Sequence, residues 1–194
     1  QAMASNPNIQ KQSGDDVVYL DPVWKALRDE AEAIVEDDQA LTGFIYANIL
    51  NKKRLEDVVI HRICERLHQS DFSGNTIRNA FLAMLDGGSD WAETLRVDIA
   101  AVYERDPACS RFIEPIMYFK GFQAIQTHRL AYWLHHQGRR DFALYLQSRA
   151  SEVFQTDINP EAHLGRGLFL AHATGIVIGQ TATVSFCRRA MAPC

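Results

Sequence analysis

Apolar residues in the first three quarters of the chain recur at helical spacing. Asp21 is a good N-cap and Pro22 suits the first helical position, and the apolar residues between Val23 and Val35 then fall on one face. The same spacing predicts further helices over about 41–51, from Leu55, from a Ser73 cap, and over about 90–104, 116–136 and 141–155. Roughly 135 residues are therefore expected to be amphipathic helix.

After Gln155 the pattern changes to a period of six. The aliphatic or small residues that recur at this period are Ile158, Leu164, Leu170, Ile176 and Ala182. This period matches neither an α-helix nor an alternating strand, and it indicates a left-handed parallel β-helix in which each flat face takes one hexapeptide. We therefore predict a mainly α fold: an α-helical N-terminal domain over 18–155, followed over 156–184 by the first coils of a left-handed parallel β-helix.

The two ends of the chain lie outside these patterns. Residues 1–17 are polar and aperiodic, so we expect disorder there, with Gln1–Ala4 as an expression remnant. The hexapeptide phase is lost at Arg188, and we interpret residues 185–194 as a tail foreign to the repeat. Because solenoids need several repeats and a capped end, we expect a truncation or frameshift after about Val184.

Composition narrows the functional classes. The 194 residues are 47% hydrophobic and 23% charged, which is typical of globular proteins. A net charge of −4 gives no basic surface for nucleic acid or an anionic membrane, and no apolar stretch is long enough to span a bilayer. The polar start and four cysteines without a C-x-x-C pair indicate reduced thiols in the cytoplasm. We predict no metal, because His61 and His68 beside Cys64 lack further ligands and fit a solvated helix face.

Short motifs in both halves of the chain resemble one enzyme family. These motifs are Asp98-Ile99, Arg105–Pro107, Phe119–Ala124 with His128-Arg129, Thr156–Pro160, Gly165–Gly167 and His172–Val177. Each is weak alone, but in this order, over about 23–184, they resemble the serine O-acetyltransferases. The resemblance implies transfer of an acetyl group from acetyl-CoA, as co-substrate, to the hydroxyl of L-serine in cysteine biosynthesis.

The resemblance also implies roles for three residues. His172 matches the general base, Asp157 its carboxylate partner, and Asp106 the residue that holds the substrate amino group. Fifteen residues separate the first two, three fewer than an eighteen-residue coil, which predicts neighbouring coils near one corner. The structural alternatives are a rim histidine that caps a turn, an Asx turn before Pro160, and a turn residue that ends a helix.

The chain also departs from the family pattern. Ala171 stands where the family usually has an aspartate, and the coils carrying the second substrate histidine and the CoA-cradling glycines are not in the sequence. We therefore expect the 194-residue chain to be inactive or severely impaired. Two alternatives stay open: a catalytically inactive helical assembly module left by truncation, and a hexapeptide acyltransferase with another acceptor.

Partners follow from the same resemblance. The family assembles as a hexamer, a dimer of trimers joined through the helical domains, with active sites between subunits. We expect the helical half of this chain to form such a homo-oligomer. Family members commonly bind cysteine synthase through a C-terminal tail ending in isoleucine, whereas this chain ends in Pro193-Cys194. We therefore expect binding to cysteine synthase to be lost.

Overall fold

The computed structural model describes residues 21–185, and this part of the chain is mainly helical, as the sequence predicts. Its α-helices are α1 Pro22–Asp37, α2 Thr42–Ile45, α3 Leu55–Leu67, α4 Gly74–Asp86, α5 Trp91–Arg105, α6 Ile113–Met117, α7 Lys120–His136 and α8 Arg140–Phe154. None of the helices in this range is both long and apolar enough to cross a membrane. The predictions for residues 1–17, for Arg188 and for the Cys194 terminus lie outside the described residues.

Several helix ends lie where local sequence signals predict them. The Asp21 carboxylate accepts a hydrogen bond from the backbone N–H of Trp24 at 3.1 Å, which caps α1. The Ser73 hydroxyl accepts from the backbone N–H of Asn75 at 3.1 Å, which caps α4, and that helix ends at Gly87. Both predicted caps are confirmed. They could be predicted from sequence because a cap depends only on residues within one helical turn of each other.

The predicted helix over about 41–51 is only partly α-helical. A 3-10 turn covers Gln39–Leu41, α2 follows, and a π-helical turn covers Tyr46–Leu50. The backbone N–H of Asn51 donates to the Tyr46 carbonyl at 3.0 Å, five residues back, as in a π-helix. Apolar spacing located the helix here but missed the wide turn, because spacing does not report which carbonyl each N–H binds.

The prediction of one helix over 116–136 was wrong, because α6 and α7 are separate. The Arg62 guanidinium donates to the Met117 carbonyl at 3.1 and 3.2 Å, and the Gln123 amide donates to the Ile116 carbonyl at 2.8 Å. These carbonyls would otherwise accept bonds from the next helical turn. The chain therefore bends at Tyr118 and restarts at Lys120.

We call residues 22–154 the helical body, and α7 is its central helix. Eleven of the 17 residues of α7 are buried, so its apolar surface is not confined to one face. It packs most extensively against α8 and also contacts α4, α5 and α6. The largest fully buried side chains of the main core include Phe81, Trp91, Phe122 and Phe154.

We call residues 156–184 the strand segment. It contains β1 Thr156–Ile158, β2 His163–Leu164, β3 Ile176–Ile178 and β4 Thr183–Val184. β1 pairs with β3 and β2 with β4, both in parallel. Ile158 lies opposite Ile178, and Leu164 lies opposite Val184, so each strand returns after 20 residues.

This 20-residue return corrects the predicted repeat of eighteen. Ile178, and not Ile176, packs against the second hydrophobic cluster, which is built on Ile125, Ile158, Ala162, Leu164 and Leu168. Leu170 and Ala182 pack against the same cluster, as predicted. The chain between β2 and β3 contains two consecutive non-glycine residues with positive φ, His172 and Ala173, and this irregular turn accommodates the two additional residues.

Candidate active site

The predicted base, His172, sits in a strained turn. Its φ is 51° and that of Ala173 is 54°, and both residues occupy the left-handed region that residues with a Cβ rarely adopt. The His172 side chain is exposed, while Ala173 is 1% exposed. Such backbone persists only where neighbouring structure enforces it, and residues of this kind cluster at functional sites. The turn holds an imidazole out toward solvent.

Four polar contacts link this turn, the start of β1 and α7. The Thr156 hydroxyl donates to the Ala173 carbonyl at 3.0 Å, and the backbone N–H of Gly175 donates to the Gln155 carbonyl at 2.9 Å. The Lys120 ammonium contacts the Thr174 hydroxyl at 2.5 Å and the Gln155 side-chain oxygen at 2.9 Å. Together they fix the turn from both sides.

Close packing of α7 supports the turn from beneath. A Cβ placed on Gly121 would overlap the carbonyl oxygen of Leu170 and would lie 3.1 Å from the Cβ of Ala173. Only a glycine therefore allows the first turn of α7 to approach the 170–175 segment this closely. The glycine of the Lys120-Gly121-Phe122 motif thus has a structural reason that the sequence alone does not reveal.

Asp157 lies in β1 opposite Val177 of β3, and its side chain bonds to α8 and not to His172. It is half-buried in β1, between Thr156 and Ile158, which are both buried. Its Oδ1 accepts a hydrogen bond from the Nε2 of Gln147 in α8 at 2.7 Å. Within residues 21–185, no hydrogen bond joins the Asp157 and His172 side chains. The contact between β1 and the turn is made by neighbouring residues, since the Thr156 hydroxyl donates to the Ala173 carbonyl.

Asp106 caps the end of α5 and adopts the turn role that the sequence offered as its alternative. Its Oδ1 accepts from the backbone N–H of Ala108 at 2.9 Å, and its own N–H donates to the Val102 carbonyl at 2.9 Å. The preceding Arg105 donates to the Gly167 carbonyl at 2.5 Å. The end of α5 is thereby joined to the loop that leads to His172, and no hydrogen bond within residues 21–185 reaches the second carboxylate oxygen of Asp106.

Asp98 organises the junction, although the sequence suggested no role for it. Its carboxylate is fully buried and accepts from Arg129 at 2.8 and 3.0 Å, from the Gln126 amide at 2.8 Å and from the Gly167 N–H at 2.8 Å. Arg129 in turn donates to the Gly165 carbonyl at 2.8 Å. We call Asp98, Arg129 and the 165–168 backbone the clasp. The available signal was that Asp98 and Arg129 both belong to the family motifs, in Asp98-Ile99 and His128-Arg129.

His128, on the motif helix α7, is buried and does not face the turn of His172. Burial lowers its pKa to about 4, the nearby Arg129 adds to this effect, and the contact with the Ala162 carbonyl opposes it. That contact joins Nε2 to the carbonyl oxygen at 3.1 Å, so the neutral ring carries its proton on Nε2. Nδ1 is buried without a partner. The ring supports the strand segment and remains neutral at ordinary pH.

A cavity of about 470 Å³ lies between α5, the end of α7 and β2. Its walls include Trp91, Tyr132, Trp133, His163 and Arg166. None of the three predicted site residues lines it, so this cavity and the turn of His172 are separate features. The candidate site is the turn, because it carries the strained backbone and His172, the predicted base.

Comparisons with known proteins agree with the fold and with the motifs. The structure is similar to that of a bacterial hexapeptide-repeat transferase from Brucella melitensis, with 57% identity, a TM-score of 0.83, and coverage of 85% of this chain and 68% of that one. The family described as serine acetyltransferase, N-terminal, matches residues 23–127. The chain belongs to the serine acetyltransferase family.

Individual relatives extend the match into the strand segment. Serine acetyltransferase 1, chloroplastic, of Arabidopsis thaliana is 39% identical over 164 residues, which is 84% of this chain and 52% of that protein. A serine acetyltransferase of Neisseria gonorrhoeae, solved in complex with serine, is 37% identical with a TM-score of 0.80, covering 83% of this chain and 66% of that one. The chain spans about half the length of the curated relatives it matches first.

Proposed function

We propose that the chain carries the catalytic base of a serine O-acetyltransferase, the enzyme that moves an acetyl group from acetyl-CoA to the hydroxyl of L-serine, with activity impaired in the 194 residues alone. The observation that carries this proposal is the strained turn that presents His172, in a chain of this family. A relative solved with serine supports the choice of acceptor. We further propose that the strand segment is the start of a left-handed parallel β-helix, on the basis of its parallel strands with 20-residue returns.

The chemistry requires a base, because a serine hydroxyl is a poor nucleophile while it keeps its proton. His172 would remove that proton as the serine oxygen attacks the thioester carbonyl carbon. The tetrahedral intermediate then collapses, the carbon–sulfur bond breaks, and the leaving thiolate takes the proton back from the imidazolium. The reaction yields O-acetylserine and free CoA, and His172 ends in its initial neutral form.

Asp157 and Asp106 would assist at either side of this step. The Asp157 carboxylate can stabilise the imidazolium and orient the ring once the side chains meet in the substrate complex. The free oxygen of Asp106 can accept a hydrogen bond from the substrate ammonium. Ala171 supplies no carboxylate, so in this proposal Asp106 carries more of that contact than it would in relatives with aspartate there.

Domain organisation and assembly belong to the same proposal. We assign residues 18–155 to a helical N-terminal domain and 156–184 to the β-helix, and we expect a homo-oligomer built through the helical domains. Cys64 and Cys109 are free and buried, and burial raises the pKa of the Cys64 thiol to about 12. Unreactive, unpaired thiols support a reducing compartment such as the cytoplasm.

The proposal is tested by measuring CoA release with acetyl-CoA and L-serine. The assay is run on the chain itself and on a fusion that continues after Val184 with the corresponding strands of the Brucella melitensis relative. His172→Ala should lose at least about 100-fold in turnover, as removal of a general base does, and Asp157→Asn should lose less. His163→Ala, another exposed histidine of the strand segment, is the matched control and should retain full turnover.

Three outcomes would contradict the proposal. Full turnover in His172→Ala would mean that another group is the base. A fusion that binds no acetyl-CoA would favour an assembly module, and faster transfer to a different acceptor would favour another hexapeptide acyltransferase.

A further inference from the structure

We propose that Gln147 of α8 is a positioning residue that holds the Asp157 carboxylate in the orientation His172 requires. This inference rests on the proposed role of Asp157 and adds a residue that the family motifs did not point to. Gln147 lies ten residues before Asp157, on a different element, and it is half-buried against the strand segment.

The chemistry of the pair fixes the orientation of the amide. An ionised carboxylate only accepts hydrogen bonds, so Gln147 must present its NH₂ group, and not its oxygen, to Asp157. The Nε2–Oδ1 distance of 2.7 Å is short, as expected for a donor that faces a charged acceptor. Asp157 makes no other side-chain hydrogen bond within residues 21–185, so Gln147 is its one orienting partner there.

The residues on both sides of Asp157 are held by burial and hydrogen bonds, whereas the Asp157 side chain is held by Gln147. Thr156 is buried and its hydroxyl contacts the Phe154 and Ala173 carbonyls at 3.2 and 3.0 Å. Ile158 is buried in the second hydrophobic cluster. Because side chains alternate along a strand, Asp157 points away from that cluster, toward α8. One carboxylate oxygen is held by Gln147, and the other stays available for the imidazole.

Gln147 itself is held by a rigid support. Leu146 is fully buried and Ala150 is 6% exposed, so the helical turn that carries Gln147 is anchored in the main core. The amide can therefore transmit a fixed direction to Asp157. A mobile donor could not restrict the carboxylate in this way, since the order of a side chain depends on that of its partner.

The first test needs no turnover and uses the 194-residue chain. The Gln147 side-chain amide signals in a ¹H–¹⁵N spectrum are assigned by their absence in Gln147→Met. We expect these signals to move when Asp157→Asn is introduced and to stay in place in Gln180→Met, which alters a distant amide. Signals that do not move in Asp157→Asn would overturn the inference.

The second test measures turnover in the fusion described above. Gln147→Met, which keeps the length but lacks a donor, should lower kcat about tenfold with unchanged KM for both substrates, as losing an orienting partner does. Gln147→Lys, which restores a donor, should recover most of that loss. In an Asp157→Asn background, Gln147→Met should cost nothing further, because a positioning residue acts only through the group it positions.

A matched control is available on the surface. Gln180 donates from Nε2 to Glu161 at the same distance of 2.7 Å, and Gln180→Met should leave kcat unchanged. If Asp157→Asn slows the fusion but Gln147→Met does not, the positioning role is wrong and the proposed function stands. If Asp157→Asn has no effect, the proposed role of Asp157 fails, and the positioning role fails with it.

Discussion

The helical body and the strand segment are held together by different forces. The main core of the helical body contains large, fully buried side chains from successive helices, whereas the second cluster has only five buried residues. One of these five, Ile125, belongs to α7 and not to the strands. Val177 in β3 is 74% exposed. The strand segment therefore contributes little hydrophobic burial of its own.

Polar contacts compensate for this small core. The clasp joins α5 and α7 to the loop after β2, and Lys120 joins α7 to the turn of His172. The lesson is that the candidate site depends on a few hydrogen bonds at the junction, and not on the packing that stabilises the bulk of the molecule. Substitutions at the junction should therefore weaken the contact between the helical body and the strand segment. Substitutions within the helical body should not.

The largest effect should come from breaking the clasp with Asp98→Asn. This change leaves the Arg129 guanidinium, which is 11% exposed at its side chain, without its charged partner. Removing one member of a buried ion pair typically costs about 3–5 kcal/mol, and we expect a loss of that order in urea unfolding. Hydrogen exchange at residues 165–168 should increase more than in α3, because the clasp binds that loop directly.

An exposed ion pair across the same junction provides the control for this experiment. Asp90 pairs with Arg166, also between the helical body and the strand segment, but both side chains are largely exposed. Asp90→Asn should cause no measurable loss of stability, since solvent screens such pairs. Equal losses of unfolding free energy in Asp98→Asn and Asp90→Asn would show that burial does not make the clasp more stabilising than an exposed ion pair.

Low pH should also weaken the junction between the two regions, because His128 of α7 contacts the strand segment at the Ala162 carbonyl. Burial holds the pKa of folded His128 at about 4, below the ordinary value of 6.5. Between these two pH values the unfolded chain therefore binds a proton at His128 that the folded chain does not bind. The contribution of the neutral His128 ring to the free energy of unfolding is complete above pH 6.5 and is lost as the pH falls toward 4. The change from 6.5 to about 4 corresponds to about 3 kcal/mol of stability at most.

The measurement compares urea unfolding at pH 7 and pH 4.5 in the wild type and in His128→Gln. Glutamine retains a donor for the Ala162 carbonyl but does not titrate, so its unfolding free energy should fall less between the two pH values. The exposed His163→Gln should keep the wild-type pH dependence. Identical pH dependence in all three proteins would contradict a buried, neutral His128.

The sequence predicted what depends on neighbours along the chain and missed what depends on distant residues. Caps at Asp21 and Ser73 and the mainly helical composition were predictable because they are local. The break between α6 and α7 was not, since it depends on Arg62, 55 residues away from the carbonyl it binds. The 20-residue return was also missed, because nothing marks His172 as a residue with positive φ.

The candidate site was predictable to a similar extent. The motifs supplied His172, Asp157 and Asp106, and in the structure Thr156, the residue before Asp157, contacts Ala173, the residue after His172. The partner of Asp157 lies on another element, Gln147 of α8, and the loop before His172 is held by Asp98 of α5. Such partners are chosen by the three-dimensional packing of helices, which periodicity does not encode.

A smaller effect is expected from Gly121→Ala, which adds one methyl group beneath the turn of His172. The new Cβ would overlap the Leu170 carbonyl, so the 170–175 segment must shift, at a cost of about 1–3 kcal/mol. Gly43→Ala is the matched control, because a Cβ there meets nothing within 4 Å and alanine favours a helix. We expect Gly121→Ala to destabilise the chain and to slow turnover in the fusion, and Gly43→Ala to do neither. Equal stability of the two variants would mean that α7 does not support the turn.

The smallest effect should come from Thr156→Val, which removes one hydroxyl and keeps the shape of the side chain. The hydroxyl contacts the Ala173 carbonyl at 3.0 Å, so valine leaves that buried acceptor with one bond fewer, at a cost of about 1 kcal/mol. Most of this loss should appear as faster hydrogen exchange at Gly175, whose N–H lies in the same turn, with little change in α8. Thr127→Val, whose hydroxyl bonds within α7 to the Gln123 carbonyl, should cost a similar amount without affecting Gly175. If both variants changed hydrogen exchange at Gly175 equally, the stability of the His172 turn would depend on the whole helical body. The local hydrogen bonds at the junction would then not be what holds the candidate site.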